Sequence, residues 1–129
     1  MILDLQNIDP QRIAAIDSNG AELRYAEISQ LSKHITSLIT TRSLCFLLVE
    51  NNVGGVAWVM SMLDSRQLVP LILNVKTEDT LYQQLLSTYQ PAYICAPHHF
   101  AVQGEVVDCQ YDYTLTKISD TTPTLHSEL

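Results

Sequence analysis

Two short segments of the sequence, Ser43 to Glu50 (SLCFLLVE) and Leu68 to Asn74 (LVPLILN), are apolar at almost every position. A strand with one face in water alternates apolar and polar residues, whereas a strand covered on both faces shows a continuous apolar run. Each run is far shorter than the roughly 20 residues that a membrane-spanning helix needs. The two segments therefore predict central strands of a mostly parallel sheet with helices on its faces.

The segments around these strands have the residue spacing of helices. Residues 26–39 carry apolar side chains every three or four positions, which predicts an amphipathic helix. Residues 53–67 are apolar almost all round, which predicts a buried helix capped by Asn52. Residues 77–90 predict a third helix with Thr77 as its cap.

The order of the predicted elements defines the expected fold class. Residues 92–97 are a third apolar strand, so we expect an α/β fold with a three-layer βαβαβ, mostly parallel sheet and flanking helices. Residues 18–20 (Ser-Asn-Gly) favour the turn of an N-terminal β-hairpin. In the C-terminal antiparallel region, residues 107–115 alternate as one half-exposed strand, paired with 99–102 across Gln103-Gly104.

Composition narrows the class of protein. The 129 residues fit one domain, 1–129, and seven Lys and Arg against 14 Asp and Glu give a net charge of −7. This charge argues against nucleic acid as a partner. The N-terminus lacks the apolar run of a secretory signal, and no segment is apolar over the length that a membrane span needs. The three cysteines (Cys45, Cys95, Cys109) lie in apolar or strand-like contexts, which predicts core thiols in the cytoplasm.

A Gly-Gly pair follows the first apolar strand, where many nucleotide-binding sites begin. A dinucleotide-binding turn needs G-x-G-x-x-G and a P-loop needs G-x-x-x-x-G-K-S/T, and Gly54 and Gly55 match neither pattern. We interpret the pair as a close approach of the helix to the sheet. A receiver domain is excluded because the Asp and the Lys that its phosphoryl chemistry requires are missing at the ends of the later strands.

The residues that commonly carry chemistry define no site in the sequence. His98 and His99 point in opposite directions on an extended segment, and no second Cys or carboxylate cluster completes a metal-ligand set with Cys95. His34 lies off the apolar stripe of its helix, so we expect it in solvent. No Gly-x-Ser-x-Gly elbow occurs, although Ser/His/Asp and Cys/His catalysis stay open at this point. We assign no catalytic, cofactor-binding or metal-binding residue.

The ordered set of elements resembles the opening of the AMP-forming (adenylate-forming) acid ligases, the acyl- and aryl-CoA synthetases and adenylation domains. In that family a strand ending in Asp-x-x-Gly precedes a short strand and a helix that starts Tyr-x-Glu-Leu/Ile. Asp17, Gly20 and residues 25–28 match this pattern. A second block joins an apolar strand, an Asn near the turn, a long apolar helix and Val-Pro-Leu, and Asn52 and residues 69–71 match it.

The resemblance extends over about residues 12–96, with two departures. Arg24 stands where the family usually has Thr as a helix cap, and residues 64–66 (Asp-Ser-Arg) stand where it usually has Lys-Ala-Gly. The family's phosphate loop, rich in Ser, Thr and Gly and ending in Pro-Lys-Gly, does not occur, nor do its later adenine-binding segment, ribose-binding Asp, hinge and catalytic Lys. In the family that loop begins shortly after a stretch like residues 122–129 (TPTLHSEL).

The resemblance implies that residues 1–129 are the N-terminal subdomain of a larger ligase and are inactive alone. The parent would use ATP and Mg²⁺ to convert a carboxylic acid into an acyl-adenylate, then transfer the acyl group to CoA or a carrier protein. Its partners would be the remainder of the ligase chain and, through an exposed apolar surface, a second copy. The alternative is a stand-alone, non-catalytic α/β binding or interaction domain, for which we expect a monomer without such a surface. The sequence names neither the acid nor the acceptor thiol.

Overall fold

A computed structural model describes residues 8–118, which contain three helices and seven strands. In chain order these are β1 (Ile13–Ile16), β2 (Glu22–Arg24), α1 (Tyr25–Leu38), β3 (Ser43–Val49), α2 (Val53–Ser65), β4 (Leu68–Asn74), α3 (Asp79–Tyr89), β5 (Tyr93–Pro97), β6 (Glu105–Gln110) and β7 (Tyr113–Lys117). The mixed α/β content predicted from the sequence is confirmed.

The strands form two sheets. β1 and β2 pair antiparallel as the predicted hairpin, and the other five strands lie in the order β4-β3-β5-β7-β6. β3 is parallel to both β4 and β5, whereas β7 runs antiparallel to β5 and to β6. The larger sheet is therefore mixed, and the C-terminal antiparallel strands extend the parallel part.

The N-terminal hairpin is closed by a carboxylate and a glycine. Asp17 Oδ1 accepts hydrogen bonds from the backbone N–H groups of Asn19 (3.0 Å) and Ala21 (3.1 Å). Gly20 has a φ of 81°, a conformation that a side chain would strain. Directly after the hairpin, Glu27 Oε1 accepts from the N–H of Arg24 at 3.0 Å, which caps the start of α1.

Strand β3 sends alternate side chains into two separate apolar clusters. Cys45 and Leu47 belong to a first cluster, built with α1, α2 and the fully buried Trp58. Phe46 and Leu48 belong to a second cluster, against which partly buried residues of α3 pack. This division explains why β3 is apolar at every position.

The C-terminal strands differ from the prediction. Residues 107–115 are not one strand, because the chain turns at Tyr111 (φ 56°) and Asp112 (φ 63°) and forms the β6–β7 hairpin. Residues 99–102, expected to pair with that strand, lie in a loop. Positive φ at two residues that are not glycine gives no turn signal in the sequence, so the alternating pattern was extended through the turn.

Two smaller predictions also need correction. Glu78, not Thr77, is the N-cap of α3, and the Thr77 hydroxyl donates back to the carbonyl of Asn74 at 2.6 Å. Cys45 and Cys95 are buried as expected, but Cys109 is exposed. No helix within residues 8–118 is both long enough and apolar enough to span a membrane.

Candidate functional site

The candidate site is the edge of the larger sheet at which the parallel strands end. β4 lies on one side of β3 and β5 on the other, so the order of the parallel strands reverses at β3. In open α/β sheets, ligands bind outside the carboxyl ends of the strands at such a switch point. Glu50 follows β3, Asn74 ends β4 and His98 follows β5, so the topology brings polar residues from three chain segments to this edge.

The two adjacent histidines contact different partners. His99 Nε2 lies 2.8 Å from Glu50 Oε1, which ties the end of β5 to the end of β3. His98 Nδ1 lies 3.3 Å from Thr114 Oγ1 on β7. The two histidines lie in a turn and not on the predicted extended segment, although they contact different partners. Among residues 8–118, no group of three or more His, Cys, Asp or Glu could hold a metal ion.

Tyr113 joins three elements below this edge. Its hydroxyl donates to Asn52 Oδ1 and accepts from the backbone N–H of Glu50, both at 2.9 Å. Burial, the largest cause, raises the pKa of the Tyr113 phenol, so the hydroxyl keeps the proton that it donates. Only 1 % of the residue is exposed, so this hydroxyl serves as an internal link between β3, α2 and β7.

The N-terminus of α2 is occupied by side chains of the chain itself. Asn52 Oδ1 accepts from the N–H of Gly55 at 3.0 Å, which confirms the predicted cap. Asp17 Oδ2 accepts from the N–H of Val53 at 3.4 Å and so fastens the N-terminal hairpin to α2. A phosphate would need these same first-turn N–H groups, and a carboxylate already takes one of them.

The Gly-Gly pair serves packing rather than phosphate binding. A Cβ atom on Gly54 would lie 2.6 Å from the Tyr111 carbonyl oxygen and 2.7 Å from the Tyr113 ring. On Gly55 it would lie 2.9 Å from the carbonyl oxygen of Glu50. The interpretation of the pair as a close approach of helix to sheet is confirmed, since only glycine lets α2 lie this close to β7 and the β6–β7 turn.

The buried thiols do not provide a nucleophile. Burial, the largest cause, raises the pKa of both Cys45 and Cys95, which keeps these groups protonated. Cys109 is exposed, and its Sγ lies 3.8 Å from Thr114 Oγ1.

A second polar group lies between α1 and β6, and sequence reasoning missed it. His34 is exposed as expected, but its Nε2 lies 3.2 Å from Oδ2 of Asp108, whose side chain is only 14 % exposed. An irregularity between Val106 and Asp108 shifts the register, so Asp108 pairs with Leu115 of the first cluster. Strict alternation in the sequence cannot reveal such a bulge.

Tyr111 and Glu27 lie beside His34 and line a shallow surface cleft with it. The Tyr111 hydroxyl donates to Glu27 Oε2 at 3.3 Å. The pKa of Tyr111 is raised to about 12, mainly by burial and secondly by the nearby Glu27 carboxylate. A phenol held in its neutral form beside a carboxylate stabilises the contact between α1 and the β6–β7 turn.

The comparison with known proteins adds no assignment. Neither the known protein families nor the curated proteins include a match to this chain. What bears on function is therefore the geometry: at the carboxyl edge His99 contacts Glu50, His98 contacts Thr114, and Asn74 Oδ1 accepts from the N–H of Lys76 in its own turn.

Proposed function

We propose that residues 1–129 are the N-terminal subdomain of a larger AMP-forming acid ligase. The parent enzyme converts a carboxylic acid and ATP, with Mg²⁺, into an acyl-adenylate and pyrophosphate. It then passes the acyl group to a thiol of CoA or of a carrier protein. In this proposal the 129 residues are a scaffold without catalytic residues, and the chain alone is inactive.

One observation carries the proposal: four of the residues that define the resemblance form a turn or cap a helix. Asp17 closes the hairpin and holds the start of α2, while Gly20 adopts the left-handed turn conformation. Glu27 caps α1 and Asn52 caps α2. The four residues lie in the β1–β2 turn and at the starts of α1 and α2, the positions that the family pattern gives them, and this agreement supports a shared architecture.

The helix end after α2 supports the same interpretation. Arg66 is the C-cap of α2 and has a φ of 65°, the left-handed conformation that favours glycine. The family usually has Gly at this position. The backbone at this position thus has the left-handed conformation that the family's Gly suits, although Arg66 suits it less well.

ATP and Mg²⁺ do not fit the described residues of this chain. The α2 N-terminus contacts Asp17 and Asn52, and Glu50 is engaged by His99. Both groups would be held by residues that follow in the parent. Binding and charge stabilisation of the phosphates would therefore depend on those later residues.

The distribution of apolar residues supports a three-layer arrangement with an incomplete outer surface. Helices α1 and α2 contribute to the first cluster, and α3 packs against the second, as helices on opposite faces of the sheet would do. Several large apolar side chains are half exposed or more, including Ile72 (50 %) on β4 and Ile16 (60 %) on β1. In this proposal the remainder of a cytoplasmic ligase chain covers such residues, and in its absence they favour a homodimer.

ATP–pyrophosphate exchange tests the proposal. The protein purified from its native source is assayed with a panel of carboxylic acids, and the 129-residue chain is assayed beside it. We expect acid-dependent exchange by the native protein and none by the chain. Exchange by the chain alone would contradict the scaffold role, and a native protein inactive with every acid of the panel would favour the stand-alone binding domain.

A further inference from the structure

A cleft of about 200 Å³ lies beside the switch point, on the face of the sheet that carries the second apolar cluster. Its floor is formed by Ala96 of β5 and by Thr114 and Thr116 of β7. Its opposite wall is the loop after β5, with Phe100 and Ala101. The small floor residues leave the space open, because Ala96 lies directly opposite Thr114 in the strand register.

The loop wall is held in place from two sides. The N–H of Phe100 donates to the carbonyl of Pro97 at 2.8 Å. The Phe100 ring packs edge-on against Tyr82 of α3, with 5.9 Å between the ring centroids. These contacts keep the loop at a fixed distance from the sheet, so the cleft is part of the folded structure.

The polar groups of the cleft form a pair at one end. His98 Nδ1 and Thr114 Oγ1 lie 3.3 Å apart, and the N–H of His98 donates to the Asp112 carbonyl at 2.7 Å, which fixes the loop at that point. A neutral imidazole donates through one ring nitrogen and accepts through the other, and a hydroxyl donates one hydrogen bond and can accept two, so the pair has capacity left for a ligand. The other lining residues are Thr116 and five apolar residues (Ala96, Phe100, Ala101, Val102 and Val106), so a ligand would present one polar group to this pair and a compact apolar body to these five.

The charges around the cleft favour an uncharged ligand. Neither Lys nor Arg is among the described residues that line it, and the whole chain carries a net charge of −7. An anion would have to leave water without a cationic partner, which is strongly unfavourable. The described lining also contains no carboxylate for a cation.

We propose that this cleft binds a small uncharged molecule with a compact apolar body and one amide or hydroxyl group. The cleft has room for about seven non-hydrogen atoms if each takes roughly the 30 Å³ that a water molecule occupies in the liquid. The polar group bonds to His98 and Thr114, and the body lies on Ala96 and Thr116 beneath Phe100. The inference does not depend on the proposed ligase role.

Isobutyramide and isobutyrate provide a matched pair of probes, because they have the same size and differ in charge. Each is titrated into the ¹⁵N-labelled 129-residue chain, and amide shifts are followed by NMR. We expect saturable shifts with isobutyramide, centred on residues 96–102 and 114–116, with a dissociation constant on the order of 10 mM. We expect binding of isobutyrate to be at least about tenfold weaker.

Three variants locate the site. Ala101→Leu fills the cleft from an exposed loop position and should weaken isobutyramide binding by about tenfold or more. His98→Ala removes one hydrogen-bonding partner and should weaken it by roughly three- to tenfold. Ala21→Leu makes the same enlargement at an exposed alanine of the N-terminal hairpin and should leave binding unchanged.

The proposal is overturned if isobutyramide gives no saturable shifts, or if the shifts centre elsewhere. Undiminished binding by Ala101→Leu would place the ligand outside the cleft, and undiminished binding by His98→Ala would remove the polar anchor. Isobutyrate binding as tightly as isobutyramide would overturn the uncharged class. The NMR titration does not depend on whether the native protein catalyses ATP–pyrophosphate exchange, so the cleft proposal and the ligase proposal can fail separately.

Discussion

The two faces of the larger sheet are built to different degrees of completeness. On the first face, α1 and α2 pack with buried side chains and are joined by hydrogen bonds. The Ser61 hydroxyl donates to the Ile28 carbonyl at 3.1 Å, and the Ser32 hydroxyl donates to Asp64 at 2.6 Å. On the second face, α3 contributes no fully buried residue and packs through half-buried side chains such as Tyr82.

This difference separates scaffold from recognition surface. A face with interlocked helices and buried polar links stabilises the fold. A face with a loosely covered sheet has room for a ligand or for further protein, and the small-molecule cleft lies there. We therefore expect stability to depend mainly on the first face and binding to depend mainly on the second.

The largest test compares two neighbouring leucines of β3 that point to opposite faces. Leu47 belongs to the first cluster and Leu48 to the second, and both are at most 1 % exposed. We expect Leu47→Ala to lower the free energy of unfolding by about 4–5 kcal/mol, and Leu48→Ala by about 2–3 kcal/mol, since a loosely packed site can collapse around the cavity. Urea unfolding measures both, and equal losses would break the comparison.

The next test concerns the buried hydroxyl of Tyr113. Tyr113→Phe leaves the N–H of Glu50 and Oδ1 of Asn52 without this partner, which should cost about 1–3 kcal/mol. Tyr111→Phe is the matched control, because its hydroxyl makes one longer hydrogen bond at a half-buried position. We expect a cost of about 0.5 kcal/mol there, and a larger loss for the control would show that the Tyr113 link is not structural.

Alkaline pH provides a separate test of the Tyr111 hydroxyl. The pKa of Tyr111 is raised to about 12 in the folded protein, against about 10 for an ordinary tyrosine. Its neutral form is therefore favoured by folding, so its contribution to stability is complete below pH 10 and is lost as pH rises from about 10 through about 12.

The measurement is urea unfolding across this pH window, together with the ultraviolet absorbance of tyrosinate. Tyr111→Phe should reduce the loss of stability in that window and remove one late-titrating phenol from the absorbance curve. An unchanged curve in the variant would mean that Tyr111 titrates as an ordinary exposed tyrosine.

The smallest expected effect is a gain in stability at the end of α2. Arg66→Gly relieves a left-handed conformation and should raise the free energy of unfolding by about 0.5 kcal/mol, after the greater flexibility of glycine in the unfolded chain is subtracted. Ser65→Gly is the control inside the helix and should lower stability by about 0.5–1 kcal/mol. A loss in both variants would contradict the role assigned to the helix end.

Sequence patterns predicted the three helices and the three parallel strands, which contribute to both faces, but not the C-terminal hairpin. The double-sided apolar run of β3, the cap Asn52 and the close packing of Gly54 all follow from local sequence, because each depends on chain neighbours or on burial. The β6–β7 turn and the position of Asp108 do not, since positive φ at Tyr111 and the shifted register depend on partners distant in the chain. The cleft beside His98 likewise forms only when β5, β7 and the intervening loop come together.

The most direct test of the proposed function is the intact mass of the protein isolated from its native source, compared with the 14.5 kDa of these 129 residues. We predict a mass several times larger, with this sequence at the start of a ligase chain whose later residues hold ATP. A native mass equal to 14.5 kDa would contradict that account and would favour a stand-alone α/β binding domain.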